Sequence, residues 1–494
     1  MPFILDPYQV EFSYNIRRAL GQHHKVIACA ATGAGKSATF IDLATRAHQG
    51  GKCVLILTES RKIFNQIFDS DLHAHKINAE VKEDVWIDSS AIYIAMTQTL
   101  SNRQKVVDQL KELHEKLFII VDEAHIGTFN KLLQQLGEAM LCGFTATPDA
   151  RWAHHLPKIY ETIVVGPQPQ ELVQLGFLCP CRHFARIGAN LDELALQGGD
   201  FTEASQEKAF DTTKLFDGLC EDLRTIPYKK CLIFTASVKD CNTVANQLRG
   251  KGFGCVAVHR NSKAHPINDK EFEYRLAQYT KGGINICVSV GTLTKGFDFP
   301  EIDLVVLRRA TTSLPLYLQM MGRGSRKRRV EWKKHFTVLD YGGNYIRHGL
   351  WDADRDWDYL WNKPRNSKEG VAPIKMCPQC DYINKVSASS CENCGYEFIK
   401  QDIPLEYGKL IEITEVYNNT MVGRRVSTLN PNELAIWSRL KNKKNFATRI
   451  ARFLDRHKPG YLEDYGGQMN YKYGWVDWQR KINDGDDFND FTLK

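Results

Sequence analysis

The chain has 494 residues, too many for one hydrophobic core, because single cores stop growing at roughly 250–300 residues. Its 43% hydrophobic and 25% charged residues are those of an ordinary globular protein, and a net charge of +7 fits a polyanionic partner without requiring one. No apolar run approaches the roughly 18 residues needed to cross a bilayer, and Met1–Tyr8 lacks the regions of a secretory leader, so the chain is expected to stay in the cytoplasm or a nucleoid within it.

In chain order, Lys25–Ala30 (KVIACA) reads as a short strand. It runs into Ala31-Thr32-Gly33-Ala34-Gly35-Lys36-Ser37 and then a helix-compatible stretch, SATFIDLATRAH. Strand, glycine loop and helix is the context a phosphate-binding loop requires. Gly33 and Gly35 let the backbone from Thr32 through Ala34 turn its N–H groups toward a β-phosphate, with the positive end of the helix dipole behind them. Lys36 is then expected to bridge the β- and γ-phosphates of ATP and Ser37 to ligate Mg²⁺. The first glycine of the general pattern is Ala30 here, and a glycine-rich turn that happens to contain Lys-Ser is the alternative reading.

Further on, Leu117-Phe118-Ile119-Ile120-Val121 precedes Asp122-Glu123-Ala124-His125. A wholly apolar run is expected as a central parallel strand, which delivers both carboxylates to the sheet edge where the phosphates lie. Asp122 is expected in the Mg²⁺ shell, with Glu123 orienting and deprotonating the attacking water. Acids at strand ends are often solvated caps; together with the glycine loop they point to an ATPase.

Asp-Glu-Ala-His resembles the DEAH form of motif II of superfamily 2 helicases, and other motifs of that family follow the expected order. Leu5-Asp6-Pro7-Tyr8-Gln9 is similar to the Q motif, whose glutamine reads the adenine edge. Thr58-Glu59-Ser60-Arg61 and Met96-Thr97-Gln98-Thr99 sit where motifs Ia and Ic hold the sugar-phosphate backbone, which implies Arg61, Thr97 and Gln98 as contacts. Thr145-Ala146-Thr147-Pro148 resembles motif III, so the likeness implies that His125, Thr145 and Thr147 couple hydrolysis to movement.

A second alternation of strands and helices begins near Glu171, with strands expected at Lys230–Thr235, Cys255–His259, Ile284–Val290 and Leu304–Leu307 and no phosphate loop. Its motifs resemble IV (Thr235-Ala236-Ser237), V (Gly291 to Asp298) and VI (Gln319-Met320-Met321-Gly322-Arg323-Gly324-Ser325-Arg326). The likeness implies nucleic-acid contacts at Thr235, Thr292 and Thr294, a nucleotide contact at Asp298, and a catalytic set of Gln319, Arg323 and Arg326. In the family the two arginines neutralise charge on the γ-phosphate, an effect worth about 10³–10⁵ in rate. Lys327, Arg328 and Arg329 read as a solvated basic face.

Of 14 cysteines, ten are scattered and read as reduced core residues, while Cys377, Cys380, Cys391 and Cys394 form two C-x-x-C knuckles ten residues apart. That spacing predicts a four-thiolate zinc ribbon, against a redox dithiol pair. The ribbon together with Leu339-Asp340-Tyr341-Gly342-Gly343-Asn344 resembles the RadD-like bacterial DNA-repair proteins and their phage-encoded relatives. The likeness points to single-stranded-DNA-binding protein or recombinase as partners. This chain lacks the additional cysteines ahead of the RadD ribbon, which leaves those partners open. In Ser438–His457 the spacing of Leu440, Phe446, Ile450, Phe453 and Leu454 is roughly helical, and is expected to pack on the motor in preference to binding nucleic acid. Tyr461–Trp478 reads as a small aromatic core, with base stacking as the alternative, and Asp484–Phe491 as an acidic tail.

These elements predict an α/β protein with two tandem RecA-like parallel-sheet domains at 1–167 and 168–352, a linker at 353–374, the ribbon at 375–401 and an accessory region at 402–494. The expected activity is that of an ATP- and Mg²⁺-dependent DNA helicase or translocase acting on single-stranded, duplex or forked DNA in repair, recombination or replication. The alternatives are an RNA helicase and an ATP-gated clamp or recruitment module.

Overall fold

The computed structural model describes residues 5–68, 72–77, 86–148, 155–186, 194–210, 213–260, 266–291, 293, 297–327, 330–353, 355, 357–362, 374–376, 383–385, 410–414, 429, 431–440, 444–469 and 475–482. Two compact units emerge. The first comprises Met1–Leu178, Thr294–Asp298 and Asp356–Ser367; the second comprises Cys179–Leu293, Phe299–Arg355 and Lys368–Lys494.

The first unit is built on seven strands: β1 (Lys25–Cys29), β2 (Cys53–Thr58), β3 (His75–Ile77), β4 (Ile92–Met96), β5 (Leu117–Val121), β6 (Met140–Thr145) and β7 (Thr162–Val165). They lie in the order β3-β4-β2-β5-β6-β1-β7, and every pairing is parallel. Helices α1 (Pro7–Leu20), α2 (Lys36–Gln49), α3 (Arg61–Phe68), α4 (Thr97–Ser101), α5 (Gln104–Glu112), α6 (Asn130–Leu136), α7 (Leu156–Ile159) and α8 (Pro169–Gln174) supply the connections. Every residue of β2 and β5 is buried, the reason these strands are uninterrupted apolar runs and not alternating ones. Because the strands are parallel and β2, β5, β6 and β1 are neighbours, the residues that follow them emerge side by side along one sheet edge.

The second unit repeats the plan with β8 (Cys181–Arg186), the small hairpin β9 (Leu196–Gln197) and β10 (Asp200–Phe201), then β11 (Cys231–Thr235), β12 (Cys255–Val258), β13 (Ile286–Ser289), β14 (Leu304–Arg308) and β15 (Phe336–Asp340). A separate antiparallel pair is formed by β16 (Ile374–Met376) and β17 (Ile383–Lys385), and β18 (Leu410–Glu412) follows. The sheet order is β12-β13-β11-β14-β15-β8-β18, parallel except that β18 runs antiparallel to β8. The helices are α9 (Glu203–Phe210), α10 (Thr213–Thr225), α11 (Val238–Gly250), α12 (Asp269–Thr280), α13 (Leu314–Gly324) and α14 (Asn344–His348), then α15 (Trp357–Asn362), which belongs to the first unit, and α16 (Pro431–Leu440), α17 (Lys444–His457), α18 (Tyr461–Gln468) and α19 (Trp475–Arg480).

The expected strands of both sheets are present, while the organisation around them differs from the expectation in three ways. First, the first unit extends to Leu178, not to residue 167: Leu172 is buried and the Phe177 ring meets Tyr8 edge-on at 4.6 Å. Second, the start of the expected linker folds back as α15. Trp361 is part of the first unit's core, and the Trp357 indole N–H donates to Gln168 Oε1 at 2.8 Å. Third, the C-terminal region is not separate from the second domain. β18 extends its sheet, and Trp437, Ile450, Phe453, Leu454, Leu462 and Tyr465 share a core with Ala185 and Leu350. The segment 438–457 divides into α16 and α17, with Ile450, Phe453 and Leu454 buried as the spacing implied. Cys377, Cys380, Cys391, Cys394 and the acidic tail lie outside the described residues.

Candidate functional site

In the first domain, β1 turns into α2 through a loop whose shape depends on two glycines. Gly33 has φ 91° and Gly35 φ 72°, a region that L side chains enter only with strain. Gly35 is restricted by conformation; a Cβ there would also meet the amide end of Gln9, which would have to shift. The Ala34 carbonyl accepts from the Tyr8 hydroxyl at 3.0 Å and from Gln9 Nε2 at 3.2 Å, while Gln9 Oε1 accepts from the Asp6 backbone N–H at 2.9 Å. Gln9, expected from the resemblance to read adenine, therefore braces the loop here. Lys36 opens α2 with its ammonium 3.4 Å from the Ala30 carbonyl, and Thr32 and Ser37 are half-buried.

Asp122 directly follows β5; it is buried, donates its backbone N–H to Leu57 O at 2.9 Å and accepts from Thr58 Oγ1 at 3.2 Å. Burial and the neighbouring Glu123 charge push the Asp122 carboxyl upward, and the Lys36 ammonium and Thr58 hydroxyl pull it back. Lys36 and Asp122 thus interact along the sheet edge, from the ends of β1 and β5 on either side of β6. The Asp122 carboxylate and the Ser37 hydroxyl are oxygen ligands of the kind a nucleotide-bound divalent cation takes, and Lys36 is a counter-charge for its phosphates. Thr58 lies within the expected motif Ia, but its link to Asp122 had no sequence signal. Among the described residues no group of three or more His, Cys, Asp or Glu could hold a metal by itself.

Glu123 sits at φ 52°, a left-handed conformation that costs a non-glycine residue about 1–2 kcal/mol. The Ala124 N–H bond to Phe144 O at 2.8 Å and the contact of His155 Nε2 with Ala124 O at 3.2 Å hold the backbone beyond it. From there a line of polar contacts crosses to β6. His125 Nδ1 lies 3.3 Å from Glu123 Oε2 and 3.0 Å from Thr145 Oγ1, which in turn accepts the Thr147 backbone N–H at 3.0 Å. The coupling residues expected from the resemblance therefore lie in a continuous line of polar contacts that starts at the candidate base.

In the second domain, α13 carries Gln319 and Arg323, 5% and 4% exposed, while Arg326 follows the helix and is half-buried. Ser313 caps the helix by accepting from the Leu316 N–H at 3.3 Å. The turn before it is held from two sides. Asp200 accepts from the Thr312 N–H and the Thr311 hydroxyl, each at 2.8 Å, and Asn344 accepts from the Thr311 N–H at 3.0 Å while donating to Arg309 O at 2.9 Å. The Asp340-Tyr341-Gly342-Gly343-Asn344 exit is thus a clamp on the segment that launches α13.

The expected nucleic-acid contacts divide. Arg61 and Gln98 are exposed at the starts of α3 and α4, whereas Thr97 is turned inward and 2% exposed. Thr235 corrects the expectation for its side chain: it is fully buried, and its hydroxyl is directed to Ser289 O and Ser237 O at 3.4 Å each, because the last residue of a central strand faces the interior. Thr292 and Thr294 lie outside the described residues; Asp298 is exposed and groups with the first unit.

Comparison with known proteins agrees with this division. Residues 3–150 match the family model described as Type III restriction enzyme, res subunit, and residues 214–328 match that described as Helicase conserved C-terminal domain. The chain is 25% identical over 373 residues to a 51.5 kDa protein of Lactococcus phage (isolate 7-9), covering 74% of this chain and 76% of the phage protein. It is also 25% identical over 345 residues to a Saccharomyces cerevisiae protein assigned as the ATP-dependent helicase IRC3, covering 63% of this chain but only 48% of that one. Among solved structures, a fragment assigned to the HsdR subunit of a type I restriction enzyme from Vibrio vulnificus YJ016 superposes with a TM-score of 0.55 at 20% identity, over 71% of this chain and 66% of that one. This last likeness speaks to the fold.

Proposed function

We propose, from the premise that this chain is a superfamily 2 helicase, an ATP-hydrolysing nucleic-acid motor, that its track is DNA and that it remodels forked or branched DNA in repair, recombination or replication. The observation that carries the motor part of the reading is the contact line from Glu123 through His125 and Thr145 to Thr147. A simple phosphohydrolase needs the acid; a motor also needs a path by which the state of the nucleotide reaches the rest of the domain.

In this reading the Gly33–Gly35 loop and Lys36 cradle the phosphates, Ser37 and Asp122 hold Mg²⁺, and Glu123 takes the proton of the attacking water. Bound Mg²⁺ supplies charge neutralisation on the phosphate oxygens. Arg323 and Arg326 are the arginine fingers, and Arg61, Gln98, Thr292 and Thr294 grip sugar and phosphate without reading bases. Support for DNA comes from the restriction-enzyme model matched by the first domain and from the RadD-like combination of exit clamp and paired C-x-x-C knuckles. One structural zinc on Cys377, Cys380, Cys391 and Cys394 fits the pairing of Met376 with Ile383, which brings together the two ends of the segment that holds the first knuckle.

The test is ATPase stimulation by single-stranded, duplex and forked DNA and by RNA. Greater stimulation by DNA than by RNA, with forked DNA the most effective, is the expected result. Best stimulation by RNA overturns the DNA reading, and stimulation without translocation along a strand replaces the motor by a clamp.

A further inference from the structure

In the second domain, the segments that follow motifs V and VI meet at one buried ammonium. Lys333 is 1% exposed and lies in the loop between α13 and β15. Its Nζ donates to Arg326 O at 2.8 Å, to Pro300 O at 2.8 Å and to Ile302 O. A lysine has three N–H donors, so these carbonyls account for the whole group. Arg326 is the second arginine of motif VI, and Pro300 follows Asp298 at the end of motif V by two residues. The preceding carbonyl, Ser325 O, accepts from the Cys179 N–H at 2.7 Å, and the Cys179 thiol faces Lys333 O at 3.5 Å. The backbone just past α13 is therefore gripped at two consecutive carbonyls.

A charge in this position works against burial, which pushes the ammonium's pKa down to about 8 against the counter-pull of Cys179 and Asp303, with the Arg326 charge adding to the fall. A methionine would fill the same space without that desolvation, so packing alone does not explain a lysine. Backbone restraint at Arg326 does. An arginine on an unrestrained loop has to be ordered at each turnover, at a cost in backbone entropy.

We propose that Lys333 is a positioning residue for ATP hydrolysis: its ammonium ties the segment after motif V to the backbone that carries Arg326, so that the finger is ordered before the nucleotide arrives. This rests on the reading of Arg326 as an arginine finger.

The experiment measures nucleic-acid-stimulated ATPase of the full chain carrying Lys333→Met, Arg326→Ala, or both. The Lys333→Met protein is expected to unfold in one cooperative transition, to keep its KM for ATP within about threefold, and to lose about tenfold or more in kcat, the mark of an interaction made in the transition state. Placed on Arg326→Ala, the same change is expected to lower kcat by less than about twofold, because both act through one group. A kcat for Lys333→Met within about twofold of the parent overturns the inference while leaving the finger intact, as do two losses that multiply. Parental turnover in Arg326→Ala removes the finger reading itself, and the inference with it. If Lys333→Met does not fold, Lys333→Gln keeps N–H donors on a shorter stem and undergoes the same comparison.

Discussion

Gln9 shows how a single amide can substitute for local rigidity in a glycine loop. Its nitrogen holds the Ala34 carbonyl and its oxygen holds the Asp6 N–H, so the start of α1 and the phosphate loop share one side chain. Removing it leaves Tyr8 as the side-chain donor on that carbonyl. Gln9→Ala is expected to weaken ATP binding by about 5- to 30-fold, the equivalent of roughly 1–2 kcal/mol; nucleotide titration that finds parental affinity would mean the loop holds its own shape. Lys36→Ala and Glu123→Gln should both abolish turnover but separate in binding, because one removes the phosphate anchor and the other spares it. Glu123→Gln is expected to retain ATP and to stay on DNA in the presence of ATP, whereas near-normal turnover in either variant would displace the catalytic assignment. Lys333 marks the opposite limit of legibility at this scale. It stands in Trp332-Lys333-Lys334-His335, close to the run Lys327-Arg328-Arg329, where nothing local distinguishes a buried ammonium from a solvated one. Its acceptors are backbone carbonyls, which leave no trace in residue identity.

Among the elements, β1, the loop and α2 were legible because each step is encoded by adjacent residues: apolar run, glycines at left-handed positions, helix-forming stretch. β5 was legible because burial on both faces demands a continuous apolar run. Pairing across long separations has no such signature. β18 is three residues long, and its partner β8 lies more than two hundred positions earlier, so its place in the sheet is decided by the docking of α16–α18 and not by its own sequence. The same holds for α15, whose six residues read as the start of a polar linker. Trp361 gives that difference a measurable size. As part of the first domain's core, 5% exposed, its change to Ala should destabilise that domain by about 3–5 kcal/mol. Denaturant melts of the full chain check this; a Trp361→Ala protein with the parental midpoint would return the residue to solvent. Thr97 and Thr235 failed as surface contacts for a related reason. Motif likeness locates a segment, but which of its side chains faces inward depends on how the strand end (Thr235) or the helix start (Thr97) packs, and both threonines are buried.

At the scale of the whole molecule, the four cysteines of the proposed ribbon follow the motor motifs in sequence, so zinc binding there, if the proposal holds, should be separable from ATP hydrolysis. A Cys391→Ser protein is expected to lose its zinc by elemental analysis, to keep basal ATPase, and to lose part of its DNA stimulation. Retained zinc would show that the ligand set is wrong, and unchanged stimulation by every DNA form would make the ribbon a brace or a protein-docking surface. The return of α15 to the first domain has a consequence for biosynthesis. The body of that domain ends at Leu178, yet the tryptophan that completes its core is translated about 180 residues later, after nearly all of the second domain's sheet. At about 5–20 residues per second, the ribosome leaves the nascent first domain with an open hydrophobic socket for roughly 10–35 s. During that interval exposed apolar surface is expected to make it a client for chaperones, and a chain cut before Trp357 is expected to remain one, which chaperone co-purification of the truncated chain checks.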